Sequence, residues 1–362
     1  MNFLTIEWFL IMSGTVGFYW LLPPTLRPSW LIAATAAFLI LFDVRSFVIF
    51  CAYAGLVSYV ARPQRPNKFV FLATGLAVLS ILLFYKVQLR RHVFNPVDVA
   101  IPVGLSYVTF RVLHVILELY RKTIPPQKPS VIVSYILFLP TIVVGPINRA
   151  TPFLADRKRN QLDLAWLSEG LERVLYGYVK IAFLGNYLVS AKLGGYVQML
   201  EPGFGRQYLR LLAMMMNTYF QFSGFSDIAI GFGLALGYRV MENFNWPFLQ
   251  PNIAAFWRCW HISLTSWSRD YVYMPLIGAY RNPYLASISA FAFIGLWHDV
   301  SVPYLLWGLY NAAGVIAWQN WQRIKRKYSL PEKAAFIPAP VIKLISVLLT
   351  IHFFMGSFIL VI

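Results

Sequence analysis

"FWRCWHISLTSWSRDYVYMPL" runs from Phe256 to Leu276 and carries six aromatic residues, a content that suits a lipid-facing or core helix. Yet Arg258, His261, Arg269 and Asp270 stand among them. A charged side chain at a lipid-facing helix centre costs about 2.5–3.5 kcal/mol on insertion scales. For Arg258, Arg269 and Asp270 together that is on the order of 8–10 kcal/mol, comparable to a whole domain's net stability. These side chains are therefore expected to face a cavity, a partner or the interface. If 256–267 is helical, Arg258, His261 and Thr265 share one face, and Trp260, Leu264 and Trp267 a neighbouring one. The plainer alternative is an interfacial segment with snorkelling arginines.

Working outward, the rest of the chain identifies the medium. Its 362 residues are 59% hydrophobic and 12% charged, and a soluble domain carries about twice that charge. Charge-free runs recur at Phe69–Tyr85, Val131–Asn148, Asn282–His298, Val300–Gln322 and Leu344–Ile362. A spanning helix needs roughly 20 mainly apolar residues, fewer where it is short or the bilayer thins. Phe3–Leu22 is a similar run, interrupted by Glu7 and stopped by Pro23-Pro24. It lacks the basic start of a secretory signal and reads as a retained first helix. Ser29–Phe42 and Ser46–Ala61 read as two short helices or one broken hairpin around Asp43 and Arg45.

Further helices are expected at about 98–120, 168–190, 207–237 and 251–267, which brings the total to roughly 10 to 12 spanning or re-entrant helices. Pro96, Pro102, Pro247, Pro251 and Pro275 interrupt them, and broken helices at membrane depth are tolerated where they are buried or line a cavity. The reading is an all-α polytopic membrane protein forming a single integral domain over 1–362, with a short surface helix in the polar connection Arg149–Ser168. The net charge of +17 comes from clusters between apolar runs, such as Arg62/Arg65/Lys68 and Arg157/Lys158/Arg159. Such clusters set topology and contact anionic headgroups, so no nucleic-acid partner is inferred. Cys51 and Cys259 form neither a disulfide framework nor a metal-ligand pattern.

Polar residues inside apolar segments concentrate between residues 100 and 311 or so. Of the five histidines, His92, His114, His261, His298 and His352, none forms a pair at metal-ligand spacing. His114 and His352 read as hydrogen-bonded structural residues, and His92 as part of a solvated basic loop. His298 ends an apolar run in "FIGLWHDVSVPYLLWGLY". A neutral imidazole there can accept and donate a proton near pH 7. Asp299 follows directly, but neighbours in a helix do not face each other, so no Asp–His dyad is assumed. "GFSDI" at 224–228 lacks the second glycine of a nucleophile elbow. "GFGLALG" at 231–237 is no phosphate loop, and its glycines suit close helix contact.

"YFQFSGFSDIAIGFGLALGYRVMENFNWPFLQPNIAAFWRCWHISLTSWSRDYVYMPL" (219–276) closely resembles the signature of membrane-bound O-acyltransferases, in the branch of alginate O-acetyltransferase and the teichoic acid D-alanyl transfer protein. "IPVGLSYVTFRVLHVILELYR" (101–121), "FLPTIVVGPINR" (138–149) and "GLWHDVSVPYLLWGLY" (295–310) look like three more blocks in family order. Together the blocks span about 95–320.

The resemblance implies a ring of tilted helices around a central tunnel, in which an acyl group passes from a cytoplasmic thioester to a hydroxyl acceptor. It implies that His298 is the catalytic histidine, buried within a hydrated passage, and that His261 is a second functional histidine toward the cytoplasmic end. Arg258, Trp260, Trp297, Asn311, Asp227, Asn243, Arg269 and Asp270 are the tunnel-lining candidates, and no metal is implied. Relatives often have Trp-His-Gly where this chain has Trp297-His298-Asp299, and a histidine at the position of Asn311.

The expected donor is acyl-CoA, acetyl-CoA foremost, or an acyl-carrier thioester. The expected acceptor is an exported or cell-surface glycan, in a bacterial plasma membrane. Trp297, Asn311 or backbone donors would stabilise the oxyanion. D-alanyl transfer from a carrier protein is the nearest rival. A polytopic transporter, or an acyl-passing subunit dependent on an extracytoplasmic partner acyltransferase, is the rival from another class.

Overall fold

The computed structural model describes residues 6–62, 67–91, 101–159, 161–329 and 338–362. His92, Pro96 and Arg65 lie outside them. The regular structure of the described residues is helical, apart from a single isolated β-bridge. Among the described residues, three helices are long and apolar enough to cross a membrane: Lys68–Val87, Leu164–Met199 and Ala339–Leu360. Shorter apolar helices occupy Ile6–Leu21, Arg27–Phe42, Val44–Val60 and Pro129–Thr141. The all-α, polytopic reading is thereby met.

The chain forms two compact units. The first comprises Met1–Ala182 and Gly224–Met241; the second comprises Phe183–Ser223 and Glu242–Ile362. In the first, the ambiguity around Asp43 resolves into two helices. Asp43 caps Val44–Val60, accepting from the Arg45 N–H at 3.2 Å and the Ser46 hydroxyl at 2.6 Å. The Val103 N–H, at 2.9 Å, ties the same carboxylate to a distant loop. Burial pushes the Asp43 carboxyl up, but these hydrogen bonds and the Arg45 charge outweigh it and hold the group below its ordinary value.

The charge-free run 131–148 is not one helix. It ends as an α-helix at Ile136, passes through the short 3-10 turn Leu139–Thr141 around Pro140, and continues as irregular chain. Proline cannot donate the helical hydrogen bond, and the freed carbonyls need a donor. Arg111, wholly buried, supplies it: its guanidinium donates to the Tyr135 and Thr141 carbonyls at 3.3 and 2.8 Å. His114, one turn on, accepts from the Ala150 N–H at 3.0 Å. Asp227, 5% exposed, sits between Arg173 and Lys180, each at 2.5 Å. The close-contact reading of the 231–237 glycines is met at Gly231, where a Cβ would stand 2.4 Å from the Gly170 carbonyl oxygen.

In the second unit, Pro283–His298 and Val302–Lys327 form a tight helix pair joined by a three-residue turn, 299–301. A Cβ on Gly295 would lie 2.2 Å from the Tyr304 oxygen, and one on Gly308 2.4 Å from the Phe291 oxygen. Only hydrogen fits at either crossing, so the two backbones touch. Ser301 caps the second helix by accepting from the Tyr304 N–H at 3.4 Å. That turn fixes His298 at the end of its helix.

Candidate active site

The expectation of one helix through 256–267 does not hold. Asn252 caps Ile253–Cys259, accepting from the Ala255 N–H at 2.8 Å; the helix then stops, and a second runs Ile262–Ser268. Between them Trp260 is extended and His261 adopts φ 46°, ψ 51°. Arg258, His261 and Thr265 therefore do not share a helical face. The cause lies in the preceding loop, which competes for the backbone. The Asn245 N–H donates to the Cys259 carbonyl at 3.0 Å, and the Ile262 N–H donates to the Asn243 carbonyl at 2.9 Å. Phe244 bridges antiparallel to Trp260. Asn243 completes the clasp, its side-chain oxygen accepting from the Ser263 N–H and hydroxyl at 3.2 and 2.8 Å.

A left-handed conformation is uncommon for a residue with a Cβ, and it persists only where its surroundings enforce it. Here it turns the His261 side chain inward. The ring is buried, edge-on to Phe222 at 4.5 Å, and 5.7 Å from the Trp297 ring. Its Nε2 is buried with no hydrogen-bond partner among the described residues. Buried polar atoms are nearly always satisfied, so an orphaned ring nitrogen is a place for a ligand atom.

Trp297 neighbours both candidate histidines, since the His298 ring lies 4.6 Å from its own. Tyr304 stacks on His298 at 5.8 Å and 23°, and Trp307 meets it edge-on at 5.4 Å. The His298 imidazole is exposed, not buried as expected, because it caps a helix end at an open turn. Tyr304 and Trp307 were not singled out in the sequence. Their signal was present in the 295–310 block, where residues six and nine positions after His298 return across the turn on the next helix.

The other candidates divide. Arg258 and Arg269 line a cavity of about 400 Å³ with Trp257, Thr265, Phe291 and Gln319, a set that includes neither histidine. The Trp257 indole N–H and the Gln319 side-chain oxygen are both buried there without partners. Arg269 pairs with Asp270 at 2.9 Å. Trp260 is buried, stacked on Phe256 at 5.5 Å. Asn311 is wholly buried on Val302–Lys327; its amide donates to the Trp307 carbonyl at 2.8 Å and its oxygen has no partner. Asp227 belongs to the other unit, in the ion cluster already described. His352 donates from Nδ1 to the Leu348 carbonyl at 2.8 Å, and its Nε2 lies 3.0 Å from the Tyr208 hydroxyl. Among the described residues, no three His, Cys, Asp or Glu side chains gather as a metal site would require.

Comparison with known proteins adds a chemical context. The profile of the membrane-bound O-acyltransferase family, MBOAT, matches residues 76–361. A probable alginate O-acetylase, AlgI, of Pseudomonas fluorescens is 32% identical over 84% of this chain and 63% of its own length. A teichoic acid D-alanyltransferase of Bacillus subtilis is 29% identical over 75% of this chain and 73% of its own. A peptidoglycan O-acetyltransferase of Helicobacter pylori is 22% identical over 87% and 69%. The chain spans between 42% and 67% of the length of the alginate relatives it matches.

Proposed function

The chain belongs to the membrane-bound O-acyltransferase family, and from that premise we propose that it transfers an acyl group, acetyl in the leading reading, from a thioester to a hydroxyl of an exported or cell-surface glycan. The observation that carries this is the setting of His298, an exposed imidazole held by Tyr304 and Trp307 at the end of a helix. Such a group can exchange protons with a bound substrate, which a sealed one cannot.

In this reading the His298 imidazole takes the acceptor's hydroxyl proton as that oxygen bonds to the thioester carbonyl carbon. The carbonyl electrons move onto oxygen, then return as the carbon–sulfur bond breaks. The thiolate leaves with the proton that His298 had taken, so the histidine is regenerated and no acyl-enzyme forms. Trp297, neighbouring both histidines, supports a role in binding the reacting group. Asn311, buried and bonded to the Trp307 carbonyl, supports a positioning role through Trp307, whose ring meets His298, rather than contact with substrate. The largely apolar cavity with Arg258 and Arg269 on its wall is suited to a thioester arm whose phosphates need cationic partners. The donor is coenzyme A or a carrier protein, and the setting is a bacterial plasma membrane.

Membranes carrying the His298→Ala variant are expected to transfer labelled acetyl groups about 10²–10⁴-fold more slowly, with the protein inserted at normal levels. Undiminished transfer would remove His298 from the chemistry. The likeness to a teichoic acid D-alanyltransferase favours one second reading, D-alanyl transfer from a carrier protein. Supplying each donor in turn separates the two. A partner-dependent enzyme yields product only when the extracytoplasmic partner is added to the purified chain.

A further inference from the structure

In the second unit the end of the helical run at Met199 and the start of the next helix at Phe204 are joined by a short turn. Met199 is 84% exposed, Phe204 86% and Tyr196 55%, so this tip presents large apolar groups outward. It closes the 36-residue run Leu164–Met199, which is long and apolar enough to cross a membrane. Large aromatic side chains at the end of a membrane-crossing run suit the headgroup region, where they concentrate.

Beside these apolar groups is a cavity of about 460 Å³ lined by Val197, Gln198, Pro202, Arg206, Gln207 and Arg210. Arg206 and Arg210 are one helical turn apart on one face, and like charges at that spacing repel. The first turn of their helix has no acidic residue. No carboxylate among the described residues lies within ion-pair distance of either guanidinium, whereas Arg45, Arg121, Arg173 and Arg269 each have one. Two arginines and two glutamines, Arg206, Arg210, Gln198 and Gln207, thus line one pocket. That donor set matches a tetrahedral oxyanion with several acceptor oxygens.

We propose that this pocket binds a phosphate group, and that its occupant is the phosphodiester of an anionic membrane lipid. The exposed Met199, Phe204 and Tyr196 would then meet the acyl region while the arginines hold the headgroup. The proposal is independent of the catalytic reading, because no residue of the pocket belongs to the His298 or His261 surroundings.

The test is lipid binding to the full chain in detergent, followed by native mass spectrometry and thermal shift. Phosphatidylglycerol, phosphatidylcholine and inorganic phosphate are the three probes. Phosphatidylglycerol is expected to bind wild type in preference to phosphatidylcholine and to raise its melting temperature. Arg206→Gln/Arg210→Gln is expected to weaken phosphatidylglycerol at least about tenfold, the size of losing one to two charge-assisted hydrogen bonds. Arg206→Lys/Arg210→Lys keeps the charge, guards against misfolding of the neutral pair, and is expected to retain part of the affinity. A control that removes the same charge elsewhere, Lys325→Gln/Arg326→Gln, is expected to bind as wild type does. Stabilisation by inorganic phosphate, abolished in the same Gln pair, would uphold the phosphate site with a water-borne occupant. Equal phosphatidylglycerol binding in wild type and the Gln pair, or an equal loss in the control, would overturn the proposal.

Discussion

At the scale of single residues, the backbone of His261 matters as much as its ring. A left-handed conformation costs a residue with a Cβ about 1–2 kcal/mol, and glycine avoids it. His261→Gly and His261→Ala both remove the imidazole, but only the alanine keeps the strain. The glycine variant is therefore expected to melt at a higher temperature than the alanine variant, while acyl transfer falls equally in both. Equal melting temperatures would mean that the Asn243 clasp imposes no strain. Glycine transferring acyl groups at the wild-type rate would mean that His261 serves only to hold the turn. The same residue marks where sequence reading stopped. The residue type was visible, but the conformation was not, because the hydrogen bonds that break the helix come from a loop roughly 14 to 20 residues earlier.

At the scale of elements, what could be read depended on how local the cause was. Long apolar runs such as Lys68–Val87 were legible, since apolar composition alone decides them. The split at Asp43 was half legible: the charge was plain, and its capping of the second helix follows from a three-residue hydrogen bond. The end of the Pro129–Ile136 helix was missed, because a buried arginine from another helix takes up the freed carbonyls. The helix pair bearing His298 is the element most open to test. Gly295→Ala would drive a methyl group to 2.2 Å from the Tyr304 carbonyl oxygen, so the helices must separate. The expected cost is about 1–3 kcal/mol of stability, as for overpacking elsewhere, with acyl transfer falling because His298, Tyr304 and Trp307 straddle that crossing. A thermal melt with the wild-type midpoint would show that the pair yields without strain.

At the scale of the whole molecule, charge inside apolar surroundings is the feature that the sequence exposed and the structure sorted. Arg111 and Asp227 serve architecture, Arg258 and Arg269 line a cavity, and Arg206 and Arg210 face a pocket of their own. Composition could flag each as costly, but only packing says which cost is met by a neighbour. Asp227 is the clearest case, one carboxylate shared by two cations that keep 26% and 30% of their side chains exposed. Asp227→Asn is expected to destabilise the protein by about 1–3 kcal/mol, less than a fully buried pair because both cations are partly exposed. A double variant, Asp227→Asn with Lys180→Met, is expected to recover part of that loss in detergent melts; no recovery would argue against the shared-carboxylate account.

The touching backbones at Gly295 and Gly308 carry one more consequence. Two rods whose α-carbons sit against each other's carbonyls cannot shear past one another, so a thicker or thinner bilayer has to be met by tilting them together. His298 then keeps its bearing on Tyr304 and Trp307 whatever the length of the surrounding acyl chains.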